Sequence, residues 1–516
     1  MGPILVRGRP SIAQVFNSVR LALICCAAIA VPIEGSAQVV TPKTLPVLQG
    51  GQFDMFPSAH AGMGGATIAL DDSLLDAFVN PAKATRIGVG NFFGAPYFHS
   101  ISGGRGGGKS LPVGGSGSWG AWSATGMFTF QQLDRVPPAV FFGCPVCAQS
   151  TLASQSSTSG RSAFNQYVAG SIARRLTPST SLGLGVQLAA LDAIDGVDLL
   201  YSGSDQLNQS GSLADFRLGM TKEMGTDRHF ELMLLHSRTD MQHDVHFTSW
   251  RWDPIERQSV PNQRTEHNED QTHIWGLHTE YTRPLGSDGW HVGWLGTVNR
   301  LSHPKIPNYV IQNIPRDPGT THSFNAGVGI GRLVRGTTFA ADLIYEPMFA
   351  DTWADAARDT AIVGGGTIVA GARTVDNNFR FNNLKMRFGA GEEIPLRGGG
   401  MVLGLQAGLG LYAINYRLQQ ANHVQRTFRM QREHWVEWSP TVGLRLRSQG
   451  LDVLYNFSLT CGPGACGQTQ MGPQVFAPGR DVALSSGGII VAPSGELFMQ
   501  SGSLKIHKLT IMVPIR

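Results

Sequence analysis

The sequence predicts an all-β fold: a transmembrane antiparallel β-barrel, a sheet that closes on itself in a membrane. Three observations point there. Apolar residues alternate with polar or glycine residues in segment after segment; 64 of the 516 residues are glycine although 42% are hydrophobic; and after residue 37 no uninterrupted apolar run is long enough for a membrane helix. A period of two places one greasy face on each strand, and in lipid such a sheet must close so that no edge keeps unpaired N–H groups.

Taken from the N-terminus, residues 1–37 read as a secretory signal peptide. Arg7, Arg9 and Arg20 precede the apolar run LALICCAAIAV, which ends in Gly35-Ser36-Ala37, with cleavage expected before Gln38. Its removal takes away three Arg and one Glu, so the net charge falls from +4 to +2. So small a charge offers no purchase for nucleic acid, and no nucleic-acid partner is expected. The remaining cysteines form two close pairs, Cys144 with Cys147 and Cys461 with Cys466. In an exported chain these read first as local disulfides; a tetrahedral zinc site built from both pairs is the alternative, with no metal expected on the first reading.

The strands are clearest in PTVGLRLRSQGLDVLYNFSLT, residues 440–460. Val442, Leu444 and Leu446 alternate with Gly443, Arg445 and Arg447; after the turn at 448–450, Leu451, Val453, Tyr455, Phe457 and Leu459 alternate with mostly polar neighbours. A second hairpin, residues 275–299, carries Trp275, Tyr281, Trp290 and Trp294 near its strand ends, where an interfacial aromatic girdle would put them. Similar segments recur along residues 88–515, roughly fourteen to sixteen in all, long enough to cross a membrane at a tilt. Long connections are expected at 134–162, 242–268, 300–320, 350–376 and 460–500, alternating with short turns as external loops and periplasmic turns do. Phe379 and Phe381 are out of phase with Leu384, Met386 and Phe388, which predicts a β-bulge at Asn382-Asn383.

GGRGGGKS, from Gly103 to Ser110, has the spacing of a phosphate-binding P-loop. The loop needs a helix behind it to aim its N–H groups, and LPVGGSGSWG cannot supply one, so the stretch reads as a flexible inter-strand loop. No nucleophile elbow or His-Glu-x-x-His pair occurs, and the histidines at 236, 243, 246, 267, 273 and 278 read as solvated loop and strand-end residues rather than ligands. No catalytic residue, cofactor or enzymatic activity is expected.

Ahead of the first strand lies FPSAHAGMGGATIALDDSLLDAFVNPAKATRIGVG, residues 56–90. Gly62, Gly64 and Gly65 allow a tightly turned backbone, Asp71 and Asp72 can cap a short helix through SLLDAF, and Asn80-Pro81 ends it. The succession Gly-Met-Gly-Gly-Ala, Ala-Leu-Asp-Asp and Asn80-Pro81-Ala82 before a strand resembles the N-terminal region of the FadL-like outer-membrane transporters of long-chain fatty acids and other hydrophobic compounds. The resemblance covers about 35 residues. It implies a barrel of about 14 strands (88–516) in the outer membrane of a Gram-negative bacterium, closed from within by a hatch or plug segment (38–87). Family members take an apolar ligand from outside and release it sideways through a gap in the wall when the hatch shifts. Gly62, Gly64, Gly65, Asp71, Asp72, Asn80, Pro81 and Ala82 would belong to the hatch, although a fixed plug needs similar turns and caps.

The loops add an independent hint of apolar cargo. VPPAVFFG (136–143) and the stretch 345–372 present Phe141, Phe142, Met348, Phe349, Trp353, Ile362 and Ile368 where external loops ought to be polar. They are read as a landing site for a hydrophobic molecule, with small loop clusters as the bland alternative. The expected function is passive uptake of hydrophobic small molecules such as long-chain fatty acids by a monomer surrounded by outer-membrane lipid. The rival is a non-transporting interaction or secretion-shuttle barrel. An apolar cavity near Asn80 would favour transport, and a lumen of paired charges the rival.

Overall fold

The computed structural model describes residues 52–102, 106–134, 162–194, 206–303, 319–356, 358–396, 400–462 and 502–515. Within them one antiparallel sheet closes into a barrel. Its first strands are β1 (Asn91–Gly94), β2 (Tyr97–Ile101), β3 (Gly107–Trp119), β4 (Trp122–Asp134), β5 (Ser162–Thr177) and β6 (Thr180–Leu191). They are followed by β7 (Gln206–Glu223), β8 (His229–Asp253), β9 (Gln258–Leu285), β10 (Trp290–His303), β11 (Gly319–Val334) and β12 (Thr337–Asp355). The ring ends with β15 (Arg373–Pro395), β16 (Val402–Asn422), β17 (Thr427–Arg447), β18 (Asp452–Cys461) and β19 (Ser503–Pro514). A separate two-stranded ribbon, β13 (Thr360–Ala361) and β14 (Thr367–Ile368), lies in the connection after β12.

β1 and β2 are one strand interrupted at Ala95-Pro96, because both pair with β3 on one side and with β19 on the other. The seventeen strands of the sheet therefore fill sixteen wall positions. The count exceeds fourteen partly because Gly107–Trp119 is itself a strand: the second half of GGRGGGKS is wall, not flexible loop. Its glycine at 108 faces inward, where a Cβ would lie 2.3 Å from the His99 ring, while Lys109 points out. Pairing with β2 and β4 supplies the order that glycine cannot.

Outward positions carry the apolar belt. Ile172, Leu184, Leu218, Leu234, Leu277 and Val298 stand side by side in register across β5 to β10. On β16 the outward run from Leu403 to Ala413 covers about 34 Å of strand, or about 25 Å of membrane at a tilt near 45°. At the short-turn end Arg174, Arg283 and Arg332 lie over Trp122, Trp294 and Trp290, 5.2 to 5.4 Å from the ring centres, as amphipathic groups do at a membrane boundary. The connections at this end are turns such as 120–121, 178–179 and 335–336. This is a transmembrane barrel of the outer-membrane kind, with its short turns on the periplasmic side.

Two expected loops are strand instead. Residues 242–268 are almost wholly the paired upper halves of β8 and β9, in register from His229 and Thr282 to Asp253 and Gln258. The first part of 350–376 continues β12 to Asp355. Strand pairing here outlasts the membrane, and the polar composition of a solvated hairpin reads like loop. The bulge expected at Asn382-Asn383 is also absent: β15 keeps one register with β12 across these residues. The change of phase is a change of face. Phe379 and Phe381 point into the lumen, whereas Leu384, Met386 and Phe388 point out.

Candidate functional site

Residues 52–87 lie inside the ring, which is clear from where their hydrogen bonds end. Gln52 reaches Tyr167 on β5 (3.0 Å), the Arg217 guanidinium on β7 donates to the carbonyl of Val79 (3.1 Å), and Asp342 on β12 accepts from the N–H of Thr67 (2.9 Å). Gln406 on β16 donates to the carbonyl of Ala59 (2.8 Å), Thr441 on β17 to that of Gly62 (3.0 Å) and Lys508 on β19 to that of Phe56 (2.6 Å). Only a segment enclosed by the wall can bond to so many of its sides. Because each wall strand presents its polar residues inward at this level, the turned backbone of the segment finds partners for donors and acceptors it cannot pair itself.

The turns are those that the sequence implies. Gly64 and Gly65 have φ of 72° and 66°, and the chain passes so close to β16 that a Cβ on Gly408 would be 2.0 Å from the N–H nitrogen of Gly64. Asp72 is fully buried and accepts from the hydroxyl of Ser58 (2.6 Å) and the N–H groups of Ala59 (3.0 Å), Leu74 (3.1 Å) and Leu75 (3.2 Å). It orders the approach to a single helical turn, α1 (Asp76–Val79), rather than the longer helix through SLLDAF. Asn80 ends that turn; its side chain accepts from the N–H of Ala82, starting the 3-10 turn Pro81–Arg86, and donates to Glu231 (3.3 Å). Pro81 and Ala82 rest against Gly183 and Gly219 of the wall, where no side chain would fit. Asp71 is more exposed and pairs with Arg86 at 2.9 Å.

At the centre of this contact sits Lys83, which the sequence reading passed over. Its ammonium is buried 2.9 Å from Glu231 and 3.2 Å from Asp76, with Asp71 and Glu280 each at 4.0 Å. Burial alone would lower its pKa, but Asp76, Glu231, Glu280 and Asp71 together raise it well above the ordinary lysine range. Burial raises the Asp76 carboxyl well above its usual value despite Lys83. Burial also opposes ionisation of Asp72, yet His60 and the hydrogen bonds from Ala59, Ser58 and Leu74 hold it below the usual range. Among the described residues one trio of potential metal ligands comes together, Asp71, His229 and Glu231. Lys83 and Arg86 already stand among them, so the trio is an ion-pair cluster.

Above this polar layer, toward the long connections, the lumen turns apolar. Met348, Phe381 and Tyr416 stand in register on β12, β15 and β16, with Phe379, Ile414 and Trp435 packed beside them, all facing inward and buried. On the β4 to β8 side, Met127, Leu191 and Met241 form a second apolar face, against which Phe53, Phe56 and Phe78 of the enclosed segment pack. Between segment and wall lies a cavity of about 120 Å³ lined by Val79 beside Asn80 but also by Glu280, Glu346, Lys385, Arg387 and Lys508. The lumen thus holds both of the surfaces that were to separate transport from its rival, one above the other.

The expected ligand residues scatter. Met348 is in the inward apolar row, whereas Phe349 and Trp353, on the same strand, point outward under Arg380 and Arg373. Ile362 and Ile368 line an open surface cavity beside β13 and β14. Phe141, Phe142, Cys144, Cys147 and Cys466 lie outside the described residues, as does the signal segment; Cys461 is disulfide-bonded. The histidines are not uniformly solvated: His243 and His278 are buried inward, and His236 stacks on Trp275 with centroids 4.1 Å apart. The phase change at Phe379 and Phe381 was the one sequence signal of the inward apolar row.

No protein-family model matches the chain, and no curated protein matches it significantly. Among solved structures it is similar to a FadL homologue of Pseudomonas aeruginosa, with TM-score 0.43 and 10% identity over 92% of this chain and 100% of that one. It is similar to CymD, a monoaromatic hydrocarbon channel, with TM-score 0.36 and 11% identity over 89% and 97%. It is also similar to the ferric-catecholate import receptor Fiu of E. coli K12, with TM-score 0.35 and 8% identity over 82% of each chain. At such identities and scores the likeness is one of barrel architecture and assigns no cargo.

Proposed function

We propose that the chain is an outer-membrane channel for passive uptake of hydrophobic small molecules such as long-chain fatty acids, with residues 52–87 of the N-terminal segment as its gate. The observation that carries this reading is the inward apolar row of Met348, Phe381 and Tyr416 above a polar, occupied lower lumen. An apolar solute entering from outside would gain by leaving water there and could go no further until the segment moved. Gly62, Gly64, Gly65, Asp71, Asp72, Asn80, Pro81 and Ala82 shape the gate, and Lys83 latches it. The interruption at Ala95-Pro96 fits a sideways exit: neither Pro96 nor Pro112 on the adjacent β3 has an N–H to give the ladder, and the N–H of Ala95 bonds to the carbonyl of Pro112. The interaction-barrel reading draws support from the projecting β8–β9 hairpin, which exposes Trp252 and Ile255.

Uptake of labelled fatty acid by cells carrying the protein, lacking it, or carrying Phe379→Gln with Phe381→Gln tests the proposal. The double variant is expected to lower the rate at least about tenfold, since desolvating an amide in the row costs about 1–3 kcal/mol. Phe349→Gln, one residue from the row but outward, leaves it unchanged. Equal uptake with and without the protein excludes transport.

A further inference from the structure

Directly behind the inward apolar row, on the outward face, lies a cationic one. Arg300 on β10 pairs in register with His322 on β11, His322 with Phe349 on β12, Phe349 with Arg380 on β15, Arg380 with Arg417 on β16, and Arg417 with Arg432 on β17. On each strand the residue stands at the end of the outward apolar run nearest the long connections. On β16, for instance, the apolar positions finish at Ala413 and only Asn415 intervenes before Arg417. Each run ends where hydrocarbon ends, so the row marks the headgroup level of the outer leaflet.

Three arginines on three adjacent strands lie about 5 Å apart from neighbour to neighbour, and like charges so placed destabilise a ladder. An acid relieves only one of the three. Arg380 approaches Asp351 at 3.4 Å and stacks on Phe349, but Arg300, Arg417 and Arg432 have no carboxylate partner among the described residues. A row of guanidiniums above an apolar wall is complementary to a molecule with acyl chains below and phosphate above, because the planar fork of Arg takes two phosphate oxygens at once.

We propose that this arc is a docking surface for a phosphorylated lipid of the outer leaflet. The phosphates lie across Arg380, Arg417 and Arg432, with Arg300 at the far end, and the acyl chains run down the belt below. The site is independent of transport, so either proposal can fail alone.

The test uses the full-length barrel in nonionic micelles, with binding of lipid A, its dephosphorylated form and inorganic phosphate read by native mass spectrometry. Lipid A is expected to bind at least about tenfold more tightly than the dephosphorylated form, and Arg300→Gln with Arg417→Gln and Arg432→Gln is expected to lose about that factor. The same three positions changed to Lys keep the charge but not the fork and are expected to lose less than the Gln variant, and Lys222→Gln, outward at the opposite end, keeps all of the affinity. Equal binding by the triple Gln variant, or equal binding of dephosphorylated lipid, overturns the proposal; the latter would leave the row to an acidic protein partner. Tight binding of inorganic phosphate alone also overturns it, since the belt would then contribute nothing. Should the triple variant not assemble, Arg432→Gln alone, exposed on the outer face, is expected to weaken lipid A about threefold, and no change there counts against the site.

Discussion

Replacing Lys83 by Met should loosen the enclosed segment without opening the wall. The substitution keeps the length of the side chain and removes the ammonium that faces Glu231 at 2.9 Å and Asp76 at 3.2 Å. Breaking a buried pair from one side costs about 3–5 kcal/mol, because Asp76 loses its cation and Glu231 keeps only Arg86 at 3.7 Å. At 1.4 kcal/mol per decade, local opening of the segment becomes about a hundred- to a few-thousand-fold more frequent. Hydrogen exchange reads this directly at the N–H groups of Lys83 and Ile87, which bond to the carbonyls of Asn80 and Ala84. Amides of the wall strands serve as internal control. The deficit should be greatest at alkaline pH and shrink as pH falls through the raised folded-state pKa of Asp76, where proton uptake removes one unpaired charge. Unchanged exchange at residues 80–87 in the variant would refute the latch, showing that Lys83 is held by the segment rather than holding it.

Gly219→Ala should displace the segment by steric means, since its Cβ would lie 2.0 Å from Asn80 Oδ1 and 3.0 Å from Pro81 Cδ. A loss of about 1–3 kcal/mol in segment protection is expected, against no change for Gly126→Ala, whose Cβ meets nothing within 4 Å. Asp72 supplies an acid-sensitive contact. Its folded-state pKa is depressed, so its contribution is complete above the ordinary carboxylate value of 3.8 and is lost as pH falls through the folded value. Exchange at Ala59, Leu74 and Leu75 should therefore accelerate below about pH 4, while Asp72→Asn starts about 1–3 kcal/mol less protected at neutral pH and lacks that acid step.

Much of the wall was legible because lipid outside and polar groups inside impose a strict period of two, as on Leu403 to Ala413 and on Val442 to Leu446. Where the surroundings change, the same rule misleads. The upper halves of β8 and β9 stand in water on their outer face and look like loop; β3 is a strand in which glycine and serine face a crowded lumen. At Phe379 and Phe381 the apolar face passes from outside to inside, and a period of two records only that the phase slips. The enclosed segment announced its turns through Gly64, Gly65, Asp72 and Asn80, all of which act locally. Lys83 was invisible because its meaning comes from Glu231 and Glu280, about 150 and 200 residues away, brought to it only by closure of the ring.

At Gly183, Gly219, Gly389 and Gly408 the wall meets the turns of the enclosed segment with bare backbone. A seat made of larger side chains would slump into the space whenever its occupant left, and re-entry would have to push them aside. Glycines have nothing to slump, and their strands are braced by one another. If the segment leaves as the proposed gating requires, it leaves behind a mould that keeps its shape.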